Sequence, residues 1–411
     1  MTVCLQLTRN SYLHAEGKGV KVNTHRTMED NVDKLLPIKR QWINADQSAS
    51  SSEQSFVIVS YNILADCHVT SETYPYLLNG YRTMDERHPQ LMMELNHHGD
   101  ADIICLQEVN GRYFQETLHP ALTQLGYEGI HCNKAHGIDE GSATFYKKSR
   151  FELDAHRVVY FKDQVHENLS RMPRPLPSSQ SEAITERTLK ETVTMFLRLR
   201  CKETGRSISV GNIHPYWRND VVMDVITLQI AYAINTLVDI AGDTNSALIL
   251  CGDFNTEPTM PAYQLLQDGR LNEGSVKTLT QFRITSKSEP VEDFTLVDVM
   301  SGSYRHPIAN FQSAYKQVLG NEVPFSQFHD TVGLAWKEKH QPGFQSETSS
   351  NQPKGPKIKA LDYIWFSSQT LDCEGALRMV DKDVIDSLYA CPNKVFPSDH
   401  HLMKARFRFK V

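Results

Sequence analysis

Short apolar runs recur along most of the chain. They are rich in β-branched and aromatic residues and are bounded by polar or Gly-containing segments, a pattern typical of buried strands. The runs are 56–61, 102–106, 143–146, 208–213, 247–251, 361–366 and 402–409. Between them, residues 221–241 carry apolar side chains at three- and four-residue steps, which predicts a helix. Strands that alternate with helices over this length predict one large α/β domain.

A Ser-rich segment at 48–55 precedes the first apolar run. We therefore predict that residues 1–54 form an N-terminal extension that ends in this linker, and that residues 55–411 form the domain. The basic residues near the N-terminus are compatible with a weak mitochondrial presequence, so the expected localisation is intracellular, either cytoplasmic or mitochondrial. Two polar, Pro-rich stretches, 170–191 and 340–357, predict surface insertions.

Composition narrows the class of protein. The chain has 411 residues, of which 40% are hydrophobic and 22% charged, as expected of a globular domain. Its net charge of −6 argues against a protein that coats duplex nucleic acid with basic residues. The eight cysteines show no CxxC pair, which favours a reducing compartment. No apolar run looks long enough to span a membrane, and none is expected.

Polar side chains stand where several of the predicted strands begin or end. A single carboxylate in such a place is usually a turn former or a helix cap. Several in one domain indicate a shared crevice, because strand ends of a sheet can converge there. The residues at these positions are Asn62, Glu108, His214, Asp253, Asn255, Asp362, Asp399 and His400.

These residue types suit the hydrolysis of a phosphodiester bond. Glu108 would hold a hard divalent cation. Asp253 would take a proton from the attacking water, and Asn255 would face the same water because alternate strand residues point the same way. His400 would donate to the phosphate, with its ring oriented by Asp362.

Seven motifs in order carry a family resemblance: SYNILAD, LQEV, GSATFYKKSRF, GNIHPYW, CGDFNTEP, LDYIWF and SDHH. Together they resemble the endonuclease/exonuclease/phosphatase superfamily, from about Phe56 to the C-terminus. Within it the chain is most similar to the carbon-catabolite-repression-type deadenylase branch. That branch includes nocturnin, the Angel proteins and the 2′,5′-phosphodiesterase known as phosphodiesterase 12, to which several segments look closest.

The resemblance implies a four-layered α/β sandwich, with two mixed β-sheets packed together and helices outside. It also implies Mg²⁺, or Mn²⁺, as the cofactor. Glu108 would be its main ligand, with Asn62 and Asp399 close to the metal. His214 would contact the scissile phosphate, and Asn255 would position it.

The chain departs from the branch at a few positions that bear on the substrate. It has Ile213 where the branch usually has Thr, and Ile226 where a basic residue is usual. The usual Thr-Asn pair is replaced by Ser326 and Gln327. The change at Ile226 removes a possible phosphate contact.

Four aromatic residues are candidates for stacking on unpaired bases, although each could equally be an ordinary core residue. They are Tyr76, Tyr216, Trp217 and Phe328. Cys67 and His68 follow the first motif, but the sequence gives them no partner at a spacing typical of zinc.

The predicted function is a Mg²⁺-dependent 3′-end exoribonuclease or oligoadenylate phosphodiesterase, which hydrolyses oligo- or poly(A)-type RNA with 2′–5′ or 3′–5′ linkages, or both, to nucleoside 5′-monophosphates. Its expected partner is single-stranded RNA or oligoadenylate. One alternative is a phosphatase that acts on a terminal or cyclic RNA phosphate or on a small nucleotide. Another is a non-catalytic scaffold that retains the fold. Neither the linkage preference nor any protein partner follows from the sequence.

Overall fold

A computed structural model describes residues 39–45 and 54–410, except for 72, 75, 78–79, 135–136, 244, 286–292, 330–356 and 387–389. Residues 1–38, most of the Ser-rich linker and nearly all of the predicted insertion at 340–357 lie outside the described residues.

The strands form two large mixed sheets and a small two-stranded one. They are β1 Trp42–Asn44, β2 Ser55–Asn62, β3 Ile103–Val109, β4 Tyr127–Asn133, β5 Gly141–Lys147, β6 Phe151–Tyr160, β7 Val193–Cys201, β8 Ser207–Ile213, β9 Ala247–Asp253, β10 Phe311–Ser313, β11 Gln327–His329, β12 Lys357–Lys359, β13 Asp362–Ser367, β14 Leu371–Leu377 and β15 Met403–Phe409. The first sheet has the order β1-β14-β15-β2-β3-β5-β4, and the second has the order β10-β13-β9-β8-β7-β6. Only β2–β3 and β8–β9 pair in parallel among these strands.

Helices connect the strands and cover the sheets. They are α1 Met84–His97, α2 Gly111–Tyr113, α3 His119–Gln124, α4 Phe161–Ser170, α5 Ser178–Thr188, α6 Asn219–Ala241, α7 Pro261–Asp268, α8 Glu273–Leu279, α9 Leu296–Met300, α10 Ala314–Leu319 and α11 Lys382–Asp386. A π-helical turn, Phe114–Leu118, joins α2 to α3, and 3₁₀ turns lie at Asp66–His68 and Ser301–Ser303.

The inner faces of the two sheets bury one continuous core. Phe56 and Ile58 of the first sheet belong to the same apolar cluster as Val210 and Ile249 of the second sheet. The outer face of the first sheet packs on α1 and α3, and the outer face of the second packs on α6 and α7. The predicted four-layered α/β sandwich is therefore confirmed.

Helix α6 has the length and apolar composition of a membrane span, contrary to the expectation from the sequence. Most of its apolar window is buried against the second sheet, which is the common situation of a central helix in a protein core. The burial of α6 in the core is sufficient to explain why its sequence is so apolar.

All seven predicted strands are present, as β2, β3, β5, β8, β9, β13 and β15. The boundary at residue 54 needs one correction, because β1 lies before it and pairs with β14 from Trp42 opposite Leu377 to Asn44 opposite Gly375. The stretch 170–191, predicted to be an insertion loop, contains helix α5. Its Arg187 pairs at 2.6 Å with the buried Asp224 and is not a free surface cation.

The pairing of strands brings the polar ends together. Parallel β2 and β3 end side by side, with Asn62 opposite Gln107. Strand β13 runs antiparallel to β9, so that its first residue, Asp362, lies opposite Asp253. The ends of both sheets therefore meet at one edge of the sandwich.

Candidate active site

At Glu108 the regular geometry of strand β3 is interrupted, close to the edge of the sandwich where the two sheets meet. The Glu108 φ of +58° lies in the left-handed region, and the pairing of β3 with β5 shifts register between Gln107 and Val109. A left-handed conformation is costly for a residue with a side chain and is frequently found at functional sites. Here it directs the carboxylate toward the chain that follows β2, where the Ala65 amide donates to Oε2 at 2.9 Å.

Asn62 joins the two sheets at this edge. Its Nδ2 donates to Glu108 Oε1 at 2.9 Å and to Asp253 Oδ2 at 3.1 Å. Its Oδ1 accepts from the Leu64 amide at 3.1 Å. The amide therefore presents its nitrogen to the two carboxylates, and its oxygen is engaged elsewhere. These contacts orient the two carboxylates, and the expectation that Asn62 lies close to the metal stays a prediction.

The buried Asp362 and His400 form a pair in which His400 Nδ1 lies 2.8 Å from Asp362 Oδ2. Ser326 Oγ also donates to Asp362 Oδ2, at 2.6 Å. The second ring nitrogen, Nε2, lies 3.6 Å from Asp253 Oδ2. Burial by itself would lower the pKa of His400, but the carboxylates of Asp362 and Asp253 outweigh it and raise the pKa well above its usual value.

Asp253 lies at the centre of the cluster and is almost completely buried. Burial raises its pKa to about 7, against the lowering effect of His400. His214 Nε2 lies 3.7 Å from Asp253 Oδ2 and 3.9 Å from Glu108 Oε1. Burial lowers the pKa of His214 well below its usual value, so this ring is neutral where His400 is charged.

The argument from strand alternation is wrong for Asn255. Strand β9 ends at Asp253, and Asn255 follows with a left-handed φ of +49°. Its backbone amide donates to Asp253 Oδ1 at 2.9 Å, and its Nδ2 donates to the Pro215 carbonyl at 3.1 Å. Asn255 is thus near the site because the chain turns, and it fixes the orientation of the Asp253 carboxylate.

Asp399 is buried one residue before His400 and has its own partners. Gln327 Nε2 donates to its Oδ2 at 3.0 Å, and His329 Nδ1 lies 3.9 Å from the same atom. Its Oδ1 is buried and accepts no hydrogen bond from the part of the chain that the structure describes. That oxygen is an unused acceptor.

The aromatic candidates divide into exposed and buried residues. Trp217 is 63% exposed, with its neighbour Tyr216 partly buried at a ring-centroid distance of 6.2 Å. The partly buried Tyr76 donates its hydroxyl to the Cys391 carbonyl. Phe328 is completely buried and packs near Phe325, so the prediction that it stacks on a base is wrong.

The departures from the family pattern fall into two groups. Ile213 and Ile226 are core residues, each 1% exposed. Ser326 and Gln327, by contrast, donate to Asp362 and Asp399. A hydroxyl and an amide at these two positions hold the carboxylates of the site in place, as a Thr-Asn pair can.

The sequence model of the endonuclease/exonuclease/phosphatase family matches residues 59–400, most of the chain and every residue of the cluster above. The protein belongs to this family. The edge of the sandwich described here is the part of the family domain in which the matched motifs converge.

Curated relatives include the CCR4-Not complex 3′-5′-exoribonuclease subunit Ccr4 of Aspergillus clavatus, which is 25% identical over 97% of this chain and 59% of its own length. The Schizosaccharomyces pombe protein of the same name is 25% identical over 88% of this chain and 50% of its own length. The chain thus spans between half and three fifths of the length of these relatives.

Among solved structures, ANGEL2, a 2′,3′-cyclic phosphatase, superposes with a TM-score of 0.64 at 22% identity. The superposition covers 91% of this chain and 99% of the ANGEL2 chain. The human nocturnin catalytic domain superposes with a TM-score of 0.53 at 20% identity, over 90% of this chain and 97% of the nocturnin chain.

The donors at the edge fit a hard divalent cation. Both Glu108 oxygens accept only one hydrogen bond each from the described residues, and Asp399 Oδ1 accepts none. Oxygen donors of this kind select Mg²⁺ or Mn²⁺. Asp253, Asp362 and His400 also have the spacing of a metal cluster. His400 Nδ1, however, is engaged at 2.8 Å by Asp362 Oδ2, a hydrogen-bond distance that fits an oriented ring better than two ligands on one ion.

Arg87 is a site residue that the sequence analysis missed. It is completely buried and donates to the carbonyls of Ile63, Leu64 and Pro397, so it ties the chain after β2 to the chain before Asp399. A signal existed: Arg87 lies on the apolar stripe of α1 with Met84 and Leu91. An arginine on such a stripe indicates a buried polar role.

Proposed function

We propose that this protein is a divalent-cation-dependent phosphodiesterase that removes nucleotides from the 3′ end of single-stranded RNA, with oligo- or poly(A) as the preferred substrate. The observation that carries the proposal is the unbroken row of contacts from Glu108 through Asn62 and Asp253 to His400 and Asp362. It supplies each group that phosphodiester hydrolysis needs. The Ccr4 relatives, named as 3′-5′-exoribonucleases, support the choice of RNA and of direction.

In this proposal Asp253 is the general base. A base works best when its pKa lies near the working pH, and burial brings the pKa of Asp253 to about 7. The hydrogen bonds from Asn62 to Oδ2 and from the Asn255 amide to Oδ1 fix the plane of the carboxylate. The attacking water would then be held in one position relative to the phosphate.

His400 is the proposed donor to the phosphate. Asp362 holds Nδ1, so the charged ring presents Nε2–H toward the centre of the cluster. A charge-assisted hydrogen bond from this atom would strengthen as negative charge develops on the phosphate oxygens. The neutral His214, whose Nε2 lies 3.7 Å from the same Asp253 oxygen, would add a second, uncharged contact.

Glu108 and Asp399 are the proposed ligands of Mg²⁺ or Mn²⁺. When bound, the cation would neutralise charge on the phosphate and polarise it toward attack. The left-handed backbone at Glu108 and the amide of Ala65 set the direction of the carboxylate before any cation arrives.

Trp217 and Tyr216 are the proposed surface for bases. They are two and three residues after His214 in the chain. The Trp217 ring is exposed, and the Arg218 guanidinium lies 5.2 Å from its centroid. An exposed aromatic next to a cation suits an unpaired nucleotide. The net charge of −6 gives a duplex little to hold. We therefore expect single strands to be preferred.

The experiment is a panel of short 5′-labelled oligoadenylates with 3′–5′ or 2′–5′ linkages, assayed with and without Mg²⁺. A ladder of shortening products with release of 5′-AMP is the expected result, and the two linkage series assign the preference. Hydrolysis of only a terminal or cyclic phosphate would replace the proposal with a phosphatase; ANGEL2 is named as a 2′,3′-cyclic phosphatase. A folded protein that leaves every substrate intact would indicate a scaffold.

A further inference from the structure

A second group of possible metal ligands lies beside Glu108. Cys67 and His68 belong to the 3₁₀ turn Asp66–His68, and Glu140 immediately precedes β5. Glu140 Oε2 lies 2.5 Å from His68 Nε2 and 3.5 Å from Cys67 Sγ. One ligand atom from each residue lies within 4.8 Å of the others. The fold thus supplies the partner for Cys67 and His68 that sequence spacing could not reveal.

We propose that Cys67, His68 and Glu140 bind a zinc-like divalent cation at a site distinct from the one formed by Glu108 and Asp399. A sulfur, a nitrogen and a carboxylate oxygen are the donors that Zn²⁺ takes, whereas Mg²⁺ prefers oxygen alone. Three protein ligands would leave a fourth tetrahedral position open, as in zinc sites that keep a water.

The geometry is close to what such an ion requires. Ligands at about 2.3 Å for sulfur and about 2.0 Å for oxygen in a tetrahedral site lie about 3.5 Å apart, which is the Cys67–Glu140 separation observed. The His68–Glu140 contact must lengthen, because two ligands on one ion cannot stay at hydrogen-bond distance. The His68 side chain is 45% exposed and has room to move.

Glu140 is held ready for this role. It is 1% exposed, and its Oε1 contacts the Lys134 ammonium, which leaves Oε2 directed at Cys67 and His68. The Lys134 amide also donates to the Glu140 carbonyl at 2.7 Å. Carboxylates that bind metals are commonly oriented by a second partner of this kind. With the Cys67 thiolate, Glu140 would supply two negative charges to the divalent ion.

The competing explanation is an ion-pair network of His68, Glu140 and Lys134 that binds no metal. Cys67 separates the two explanations, because it adds no charge to such a network but is one of three ligands in the proposed site. Cys67 is exposed, whereas the other described cysteines are buried. A substitution of Cys67 therefore tests the site without disturbing the core.

The proposed site has a consequence for catalysis, and this part rests on the proposed function. His68 Nε2 lies 3.9 Å from Glu108 Oε2. A second divalent cation this close would compete for the Glu108 carboxylate and repel the first cation. We therefore expect added zinc to inhibit the Mg²⁺-dependent reaction.

The test uses Co²⁺ as a spectroscopic substitute for Zn²⁺ on the full-length protein at saturating Mg²⁺. We expect a thiolate-to-cobalt charge-transfer band that zinc displaces. Cys67→Ser should abolish the band and weaken zinc binding by about tenfold or more, and Glu140→Gln should weaken binding similarly. His97→Asn, which changes an exposed histidine at the end of α1, is the matched control and should bind as the wild type.

A band that persists in Cys67→Ser, or zinc affinity that is the same in Cys67→Ser and the wild type, overturns the proposal. If Glu140→Gln does not fold, the comparison of Cys67→Ser with the wild type still tests the site, because the Cys67 side chain is exposed and its substitution leaves the core intact. In the activity assay, zinc should inhibit the wild type and spare Cys67→Ser. If the protein has no hydrolytic activity, the proposed function fails and the zinc-inhibition comparison cannot be made. The cobalt band and the zinc affinities of the variants still test the metal site.

Discussion

His400 Nδ1 lies 2.8 Å from Asp362 Oδ2, and both side chains are buried at the edge where the two sheets meet. The contact joins residues 38 positions apart in the chain. It fixes which ring nitrogen faces Asp253, and the Asp362 carboxylate contributes to the raised pKa of the ring. This pair is the feature of the proposed site whose pH behaviour can be tested most directly.

Asp362→Asn should lower kcat by about two orders of magnitude and move the alkaline limb of the pH–rate profile to lower pH. The reason is that Asn cannot stabilise the imidazolium, so His400 loses its proton at a lower pH. The comparison variant is Ser326→Ala, which removes another hydrogen bond to Asp362 but leaves the carboxylate charge. Its alkaline limb should stay in place even if its melting temperature falls. An unmoved limb in a stable Asp362→Asn protein would eliminate the pair from the mechanism.

Asp253→Asn and Glu108→Gln should each reduce kcat by about three orders of magnitude, since each removes stabilisation that the transition state needs. The controls are Asp154→Asn and Glu152→Gln, at exposed positions on β6, where loss of a surface ion pair has little effect. Circular dichroism should show all four variants folded. Turnover near that of the wild type in either site variant would contradict its assigned role.

Chelation should abolish hydrolysis, and Mg²⁺ or Mn²⁺ should restore it, because the donors at Glu108 and Asp399 are oxygens. Calorimetric titration of the metal-free protein gives a readout independent of activity. The heat of Mg²⁺ binding should be lost in Glu108→Gln and kept in Glu152→Gln. Full activity after exhaustive chelation would exclude the metal-dependent reaction.

Trp217→Ala should raise KM for a short oligoadenylate by about tenfold with little change in kcat, given a stacking contribution of about 1–3 kcal/mol per base. Leu125→Ala is the control, since this residue is also an exposed apolar side chain and it directly follows α3, outside the cluster of the proposed site. Steady-state kinetics of both variants on the same substrate provide the comparison. Equal KM values for the two variants would mean that the exposed ring contacts no base.

The sequence by itself determined seven of the fifteen described strands and most residues of the cluster. The reason is that buried strands leave a local apolar signature, and Glu108, Asp253, Asp362 and His400 lie at or beside the ends of such runs. The motif order then identified the family, and residues 59–400 match it. None of this required knowledge of contacts between distant parts of the chain.

Only the tertiary structure decided how those residues are used. The left-handed turn at Asn255, the orientation of the Asn62 amide and the burial of Phe328 depend on neighbours from other elements. Strand β1 is too short to leave a pattern and exists because β14 offers it a partner. Cys67 meets Glu140 for the same kind of reason. Strand β3 pairs with both β2 and β5, so the turn after β2 and the residue before β5 come together across a long stretch of sequence that no local periodicity records.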